Sequence, residues 1–375
     1  MRCPIVVTSP SPDPLAGAAG PGQPRRGSGP TDPAARRRTA VAGAGPNGPG
    51  HGPDRPDRLL WRAGTASQLA LGGLLALSPL IRAAGLGDSS VLLIAGLLLG
   101  LPHGAVDHLV PAWLSARARP LPARVALLVA YAGTAAVGLA VFRAAPDLAL
   151  IGFLLLSIVH FGAADEAFHA ERDHRRSRPS AHAVLAYGGP PVVVPLALWP
   201  NQVDPLLAQV APRAPALLTT EARMLALVTV LAAVGFTVVR ELRAGRARDA
   251  VPPLLLTGLF GVVPPALAIG AYFAAWHSCR HVARLTRHDP RNTADLEAGR
   301  VGPPLRRFAR QAAAPTVVAV AALIALVTWP GHRADPLPAT FAVLAALTLP
   351  HAALVAWADR RHTPAPRPPG WSPRG

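Results

Sequence analysis

The most evident chemistry in this sequence belongs to histidines set inside apolar runs. Of thirteen histidines, His51, His174, His288, His332 and His362 fall in tails or loops and need no special account. Six others lie within hydrophobic stretches. They are His103 and His108 in Gly-Leu-Pro-His-Gly-Ala-Val-Asp-His (100–108), His160 in Ser-Ile-Val-His-Phe-Gly (157–162), His277 and His281 in Trp-His-Ser-Cys-Arg-His (276–281), and His351 in Thr-Leu-Pro-His (348–351). His277 and His281, at i and i+4, share a helical face and are close enough to chelate one ion. Neutral imidazoles suit Fe, Zn and Cu, and no thiolate cluster points to a structural zinc. Cys279 points off the His277/His281 face and Cys3 lies near the N-terminus, so no disulfide framework follows.

Four acceptors or extra imidazoles surround that set. Asp107 stands four residues after His103 and is expected to orient its imidazole as a hydrogen-bond acceptor. Asp165 is five after His160 and less well aligned. His351 is open between ligand, support for a ligand, and helix packing. His108, one turn beyond His103, is expected to orient something and not to ligate. Arg280 is expected to reach out to the membrane interface.

The elements that must hold these residues are transmembrane helices. Apolar residues make up 51% of the 375-residue chain and charged ones 15%, well under the roughly one quarter of a soluble domain. Long apolar runs recur, among them Val91–Leu101, Val125–Val141, Ala183–Trp199 and Thr316–Trp329. The reading is an all-α, polytopic membrane bundle with spans near 67–82, 90–114, 122–142, 147–169, 182–199, 216–239, 250–263, 265–286, 311–329 and 338–359. That is about ten spans, or eight or nine if one segment is re-entrant. The break between 263 and 265 is assigned to Pro264–Pro265, because an unbroken helix over 250–286 would be about 55 Å long, too long for one crossing. Residues 1–57 and 361–375, rich in Pro, Gly and Arg, are expected to be disordered tails flanking a catalytic membrane domain at 58–360.

The net charge of +17 comes entirely from arginine, since the chain has no lysine. The arginines cluster after alternate spans, which places both termini in the cytoplasm and the chain in the cell membrane among its lipids. That distribution argues against nucleic acid as a partner. With this topology His103, His160, His277 and His351 all lie on helices running inward, each thirteen residues from its outer boundary. At 1.5 Å per residue this is about 20 Å deep, one shared level near the middle of the bilayer.

At these residues the sequence resembles the Brp/Blh family of membrane-bound β-carotene 15,15′-dioxygenases. The resemblance rests on Gly-Leu-Pro-His-Gly-Ala-Val-Asp-His (100–108), His-Phe-Gly (160–162) with Asp165 after it, His-Ser-Cys-Arg-His (277–281) and Leu-Pro-His (349–351), spread across about the whole membrane domain. It implies an Fe(2+) site made by His103, His160, His277 and His281, and cleavage of β-carotene with O2 into two retinal molecules. The long N-terminal tail and the Arg-rich loops depart from the family pattern without touching the motifs. A transporter or proton relay could use the same intramembrane His and Asp, but the histidines gather at one level instead of forming a path. A b-type haem protein is a further alternative. A retinal photoreceptor is excluded, because its Schiff base needs a lysine. A di-metal desaturase would carry more histidines in cytoplasmic clusters. Carotenoid range and oligomeric state are not encoded in any motif.

Overall fold

The computed structural model describes residues 58–85, 90–115, 120–175, 179–328 and 336–361. The two proposed disordered tails lie outside the described residues, apart from Arg361, which ends the last helix. Among the described residues there are helices and turns and no strand.

The main helices are α1 (Arg58–Ala83), α2 (Ser90–Gly100), α3 (Leu121–Ala144), α4 (Pro146–Arg172), α5 (Ala181–Gly188), α6 (Pro190–Leu198), α7 (Thr220–Arg243), α8 (Ala247–Val262), α9 (Pro265–Ala271), α10 (Ser278–His288), α11 (Gly302–Thr328) and α12 (Pro336–Arg361). Prolines open many of them, at Pro146, Pro190 and Pro265 for example, where the missing N–H removes a donor that has no intrahelical partner anyway. Gly245, with φ +70°, closes the turn after α7.

All ten expected segments are helical, but the span count is lower than ten by helix length. Among the described residues, seven helices are long and apolar enough to cross a membrane, or eight if the α5–α6 pair, bent by 58°, is one span. The other two segments are shorter or broken: α8 has 16 residues, and α9 is separated from α10 by a π-helical turn at Tyr272–His277. The break before Pro265 is present, with Val263 and Pro264 both in extended conformation (ψ 134° and 138°). Two short helices after α6, Pro200–Val210 and Ala214–Leu217, are additions that the sequence pattern did not show. Arg223 pins them from α7, donating to the carbonyls of Leu218 (2.6 Å), Leu196 (3.1 Å) and Pro215 (3.4 Å) and pairing with Asp204 (2.8 Å).

Polarity is turned inside out relative to a water-soluble fold. Leu99 and Leu148 are 72% and 71% exposed, whereas Asp107, Asp165, His103, His160, His277, His281 and His351 are buried. Exposed aliphatic faces around buried charge are what a bilayer solvent selects. Helices touch through small residues where the site requires it. Gly96 of α2 lies directly against Gly270 of α9, and a Cβ on Gly270 would sit 2.9 Å from the Leu92 carbonyl oxygen. Gly162 of α4 abuts Val184 of α5, and Gly188 of α5 abuts Ile158 and Gly162 of α4. Such small-residue crossings replace the hydrophobic driving force that lipid removes.

Candidate metal centre

Local backbone breaks deliver the first imidazole. α2 stops at Gly100, and Pro102, which lacks an N–H and restricts its predecessor, converts the chain to a 3-10 turn at Leu101–His103 and a second at Asp107–Leu109. The His103 Nδ1–H donates to the Gly100 carbonyl (2.5 Å) and lies 3.2 Å from Ser278 Oγ, so Nε2 carries the free lone pair. The Gly96–Gly270 contact sets this turn beside the π-helical turn that ends in His277. The wider turn is a local distortion of the kind that recurs at functional sites. His281 follows one α-turn later, its ring nearly parallel to that of His277 (7°) with centroids 6.2 Å apart. His160 comes from α4, held by the Gly162–Val184 contact two residues on. His351 comes from α12, directly after Pro350.

These five imidazoles converge. Ring centroids are 5.1 Å apart for His103–His277, 4.9 Å for His103–His351, 5.6 Å for His103–His281, 5.1 Å for His160–His277, 5.1 Å for His160–His351 and 5.2 Å for His281–His351. All five are buried. His351 thus joins the four residues carried over by resemblance.

The structure reassigns the acidic partners. Asp107 accepts from His351 Nδ1 (2.8 Å) and from the Tyr131 hydroxyl (3.0 Å), not from His103. The expected His103–Asp107 pairing presupposed an α-helix, and the turns after Pro102 abolish the i, i+4 relation. Asp165 is no partner of His160; it accepts from Trp276 Nε1 (2.8 Å) and from Arg280 Nη1 (3.0 Å). Arg280 accordingly does not reach the interface. It is buried, stacked 3.5 Å over the Trp276 ring, because Asp165 supplies its counter-charge within the bundle. His108 is half-buried and lines the neighbouring cavity, making no ring contact with the cluster among the described residues.

Other residues escaped the sequence reading. Tyr131 carried no signal, as it lies in an unmarked apolar run. His169 is buried against Tyr187 (centroids 5.0 Å) and lies 3.5 Å from Arg280. His288, expected in a loop, ends α10 with its ring 3.4 Å from Glu171. Below the imidazoles, Arg284 binds Glu171 (2.6 Å) and Asp359 (2.5 Å), tying α10 to α4 and α12. Arg172 pairs with Asp173 (2.8 Å) and with Asp249. Burial raises the Asp173 carboxyl, but its contacts with Arg172, Arg248 and Arg175 outweigh this and hold it below the usual carboxylate range.

A cavity of about 460 Å³ opens on the cluster. His103, His160, His277 and His351 form one part of its wall, while Leu93, Phe153, Phe260, Phe341 and Leu347 supply apolar surface elsewhere.

The donor set fits a metal ion. One ring nitrogen each of His103, His277 and His351 lies within 4.8 Å of the others, and Asp107, His281 and His351 make a second such group. His160 Nε2, His351 Nε2 and both ring nitrogens of His281 are buried without a hydrogen-bond partner among the described residues. Buried polar atoms are rarely left so, and several together around one point ask for a shared partner.

Comparison with known proteins agrees with the motifs. The family model for β-carotene 15,15′-dioxygenase matches residues 94–359. A probable β-carotene 15,15′-dioxygenase, Blh, of Halobacterium salinarum is 34% identical over 316 residues, covering 76% of this chain and 86% of that protein. The probable dioxygenase Brp of the same organism is 30% identical over 234 residues (57% and 63%), and a β-carotene 15,15′-dioxygenase of an uncultured marine bacterium is 26% identical over 183 residues (49% and 64%). No solved structure matches the chain. With the family model spanning well over half of its length, this chain belongs to the β-carotene 15,15′-dioxygenase family.

Proposed function

We propose that this protein cleaves the central 15,15′ double bond of β-carotene with O2, giving two molecules of all-trans-retinal, at an Fe(2+) ion held by His103, His160, His277 and His281, with His351 as a further ligand. The observation that carries this reading is the convergence of five imidazoles from separate helical segments on the wall of an apolar cavity. When bound, the iron supplies the activation of O2, chemistry that no side chain of the protein can perform.

The protein's own residues do the rest. The apolar wall binds a polyene and excludes water from the reacting centre. A substrate dissolved in lipid enters such a cavity sideways, without crossing an aqueous phase. Asp107, steadied by Tyr131, fixes His351 with Nδ1 protonated and Nε2 turned away from the carboxylate. The Gly100 carbonyl does the same for His103. His108 and Asp165 take no place among the ligands in this reading. The alternation of arginine-rich loops supports a multi-pass protein of the cell membrane with both termini cytoplasmic.

Expression in β-carotene-producing cells is expected to bleach their colour and to accumulate retinal, and His277→Ala is expected to abolish both. Unchanged carotenoid in cells where membrane insertion of the wild type has been verified overturns the reading.

A further inference from the structure

Three hydroxyl groups in the cavity wall, those of Ser157, Tyr272 and Thr316, lack a hydrogen-bond partner among the described residues, and the first two belong to the segments that carry His160 and His277. Ser157 and Tyr272 are 3% and 2% exposed, both line the cavity, and neither Ser157 Oγ nor Tyr272 Oη has a hydrogen-bond partner among the described residues. A serine inside a helix ordinarily bonds the carbonyl four residues back. Ser67 does so to Ala63 (2.8 Å), and Thr348 to Leu344 (2.8 Å). Ser157 does not. A hydroxyl buried without a partner in apolar surroundings is unfavourable unless a ligand atom satisfies it.

Their position says which ligand atom. Ser157 stands one turn before His160 on α4. Tyr272 opens the π-helical turn that His277 closes, with its ring stacked on the His277 imidazole at 6.3 Å and against Phe161 at 5.3 Å. β-Carotene is a hydrocarbon and offers them no acceptor. Cleavage of its double bond by O2 places one oxygen atom on each of the two carbons that part, so carbonyl acceptors arise beside the histidines and nowhere else on the polyene. The chain has no lysine, so a retained aldehyde cannot be held as a Schiff base.

We propose that Ser157 and Tyr272 form a carbonyl-oxygen subsite that donates hydrogen bonds to the aldehyde end of the product; the proposal rests on the cleavage reading above. An apolar cavity with two unpaired hydroxyls in its wall, on the segments that carry His160 and His277, distinguishes an aldehyde from a hydrocarbon of the same shape.

The test uses the full-length protein in detergent micelles and tryptophan-fluorescence titration with two probes. These are all-trans-retinal and the corresponding hydrocarbon in which a methyl group replaces the aldehyde. Wild type is expected to bind retinal about tenfold more tightly than the hydrocarbon or better. Tyr272→Phe and Ser157→Ala, both of which keep the packing volume, are each expected to weaken retinal binding about five- to tenfold, with hydrocarbon affinity unchanged. Equal affinity of wild type for both probes, or retention of the full preference by both variants, overturns the subsite. Wild type that cleaves β-carotene yet shows no preference refutes the subsite alone. A retinal preference lost in the variants of a protein that leaves β-carotene intact supports the subsite and removes the cleavage reading.

Discussion

Replacing Gly162 by alanine adds one methyl group where the bundle has no room for it. The new Cβ would stand 2.6 Å from Val184 Cα, and closer still to the Val184 carbonyl oxygen. Ordinary contact begins at 3.4 Å. Both neighbours belong to the backbone of α5, so no rotamer change relieves the clash, and α4 must move by about 1 Å relative to α5. His160 lies two residues away on α4 and moves with it, away from His277 and His351 at 5.1 Å. A misplacement of about 1 Å at a reacting centre costs on the order of a hundredfold in rate. Gly152→Ala, ten residues earlier on the same helix, is the control, because a Cβ there meets nothing within 4 Å. Retinal formation in membranes of matched protein content, with bound iron measured alongside, is the assay. The expectation is about a hundredfold loss for Gly162→Ala and a change of less than twofold for Gly152→Ala. Gly162→Ala at full activity would show that His160 need not hold the position that helix packing gives it, and would refute the argument from helix contact to site geometry.

Further expectations follow from other contacts. Asp107→Asn removes the carboxylate that orients His351 and is expected to weaken iron binding about 10- to 100-fold in chelator competition, with Tyr131→Phe smaller in the same direction. Asp165→Ala leaves the Arg280 charge buried without its partner, which costs on the order of 3–5 kcal/mol and shows as lowered thermal stability; the double change Asp165→Leu with Arg280→Met is expected to recover most of it. Val129→Arg, at a face of α3 that is 65% exposed, is expected to reduce membrane insertion by a cost of roughly 2.5–3.5 kcal/mol, whereas the same change on a water-facing surface is nearly neutral.

The sequence disclosed the imidazoles because an uncompensated polar ring is too costly in a hydrocarbon setting to occur by chance in four apolar runs. Equal spacing from the span boundaries then put His103, His160, His277 and His351 at one level, and the structure has them in ring contact or one ring apart. The break at Pro264 was legible for a similarly local reason, the chemistry of two adjacent proline rings. Partnerships were not legible. Asp107 reaches His351 across 244 positions, and its neighbour His103 is lost to it through a turn that helical spacing does not anticipate. Arg280 was misplaced because its counter-charge, Asp165, lies 115 residues away, and only packing brings the two together. Among the described residues, eight spans by length and composition, counting the bent pair as one, sit at the lower end of the expected eight to ten, because α8 is apolar but short and α9–α10 is interrupted.

The ion pair between Arg284 and Asp359 has a practical side. Asp359 stands two residues before the end of the last described helix, yet its carboxylate neutralises a guanidinium one turn below His281. Shortening the protein to Ala358, or fusing a rigid reporter that unwinds that final turn, would therefore disturb the middle of the bundle from its edge. Purification handles are better attached after Arg361 through a pliable spacer, leaving the helix end wound.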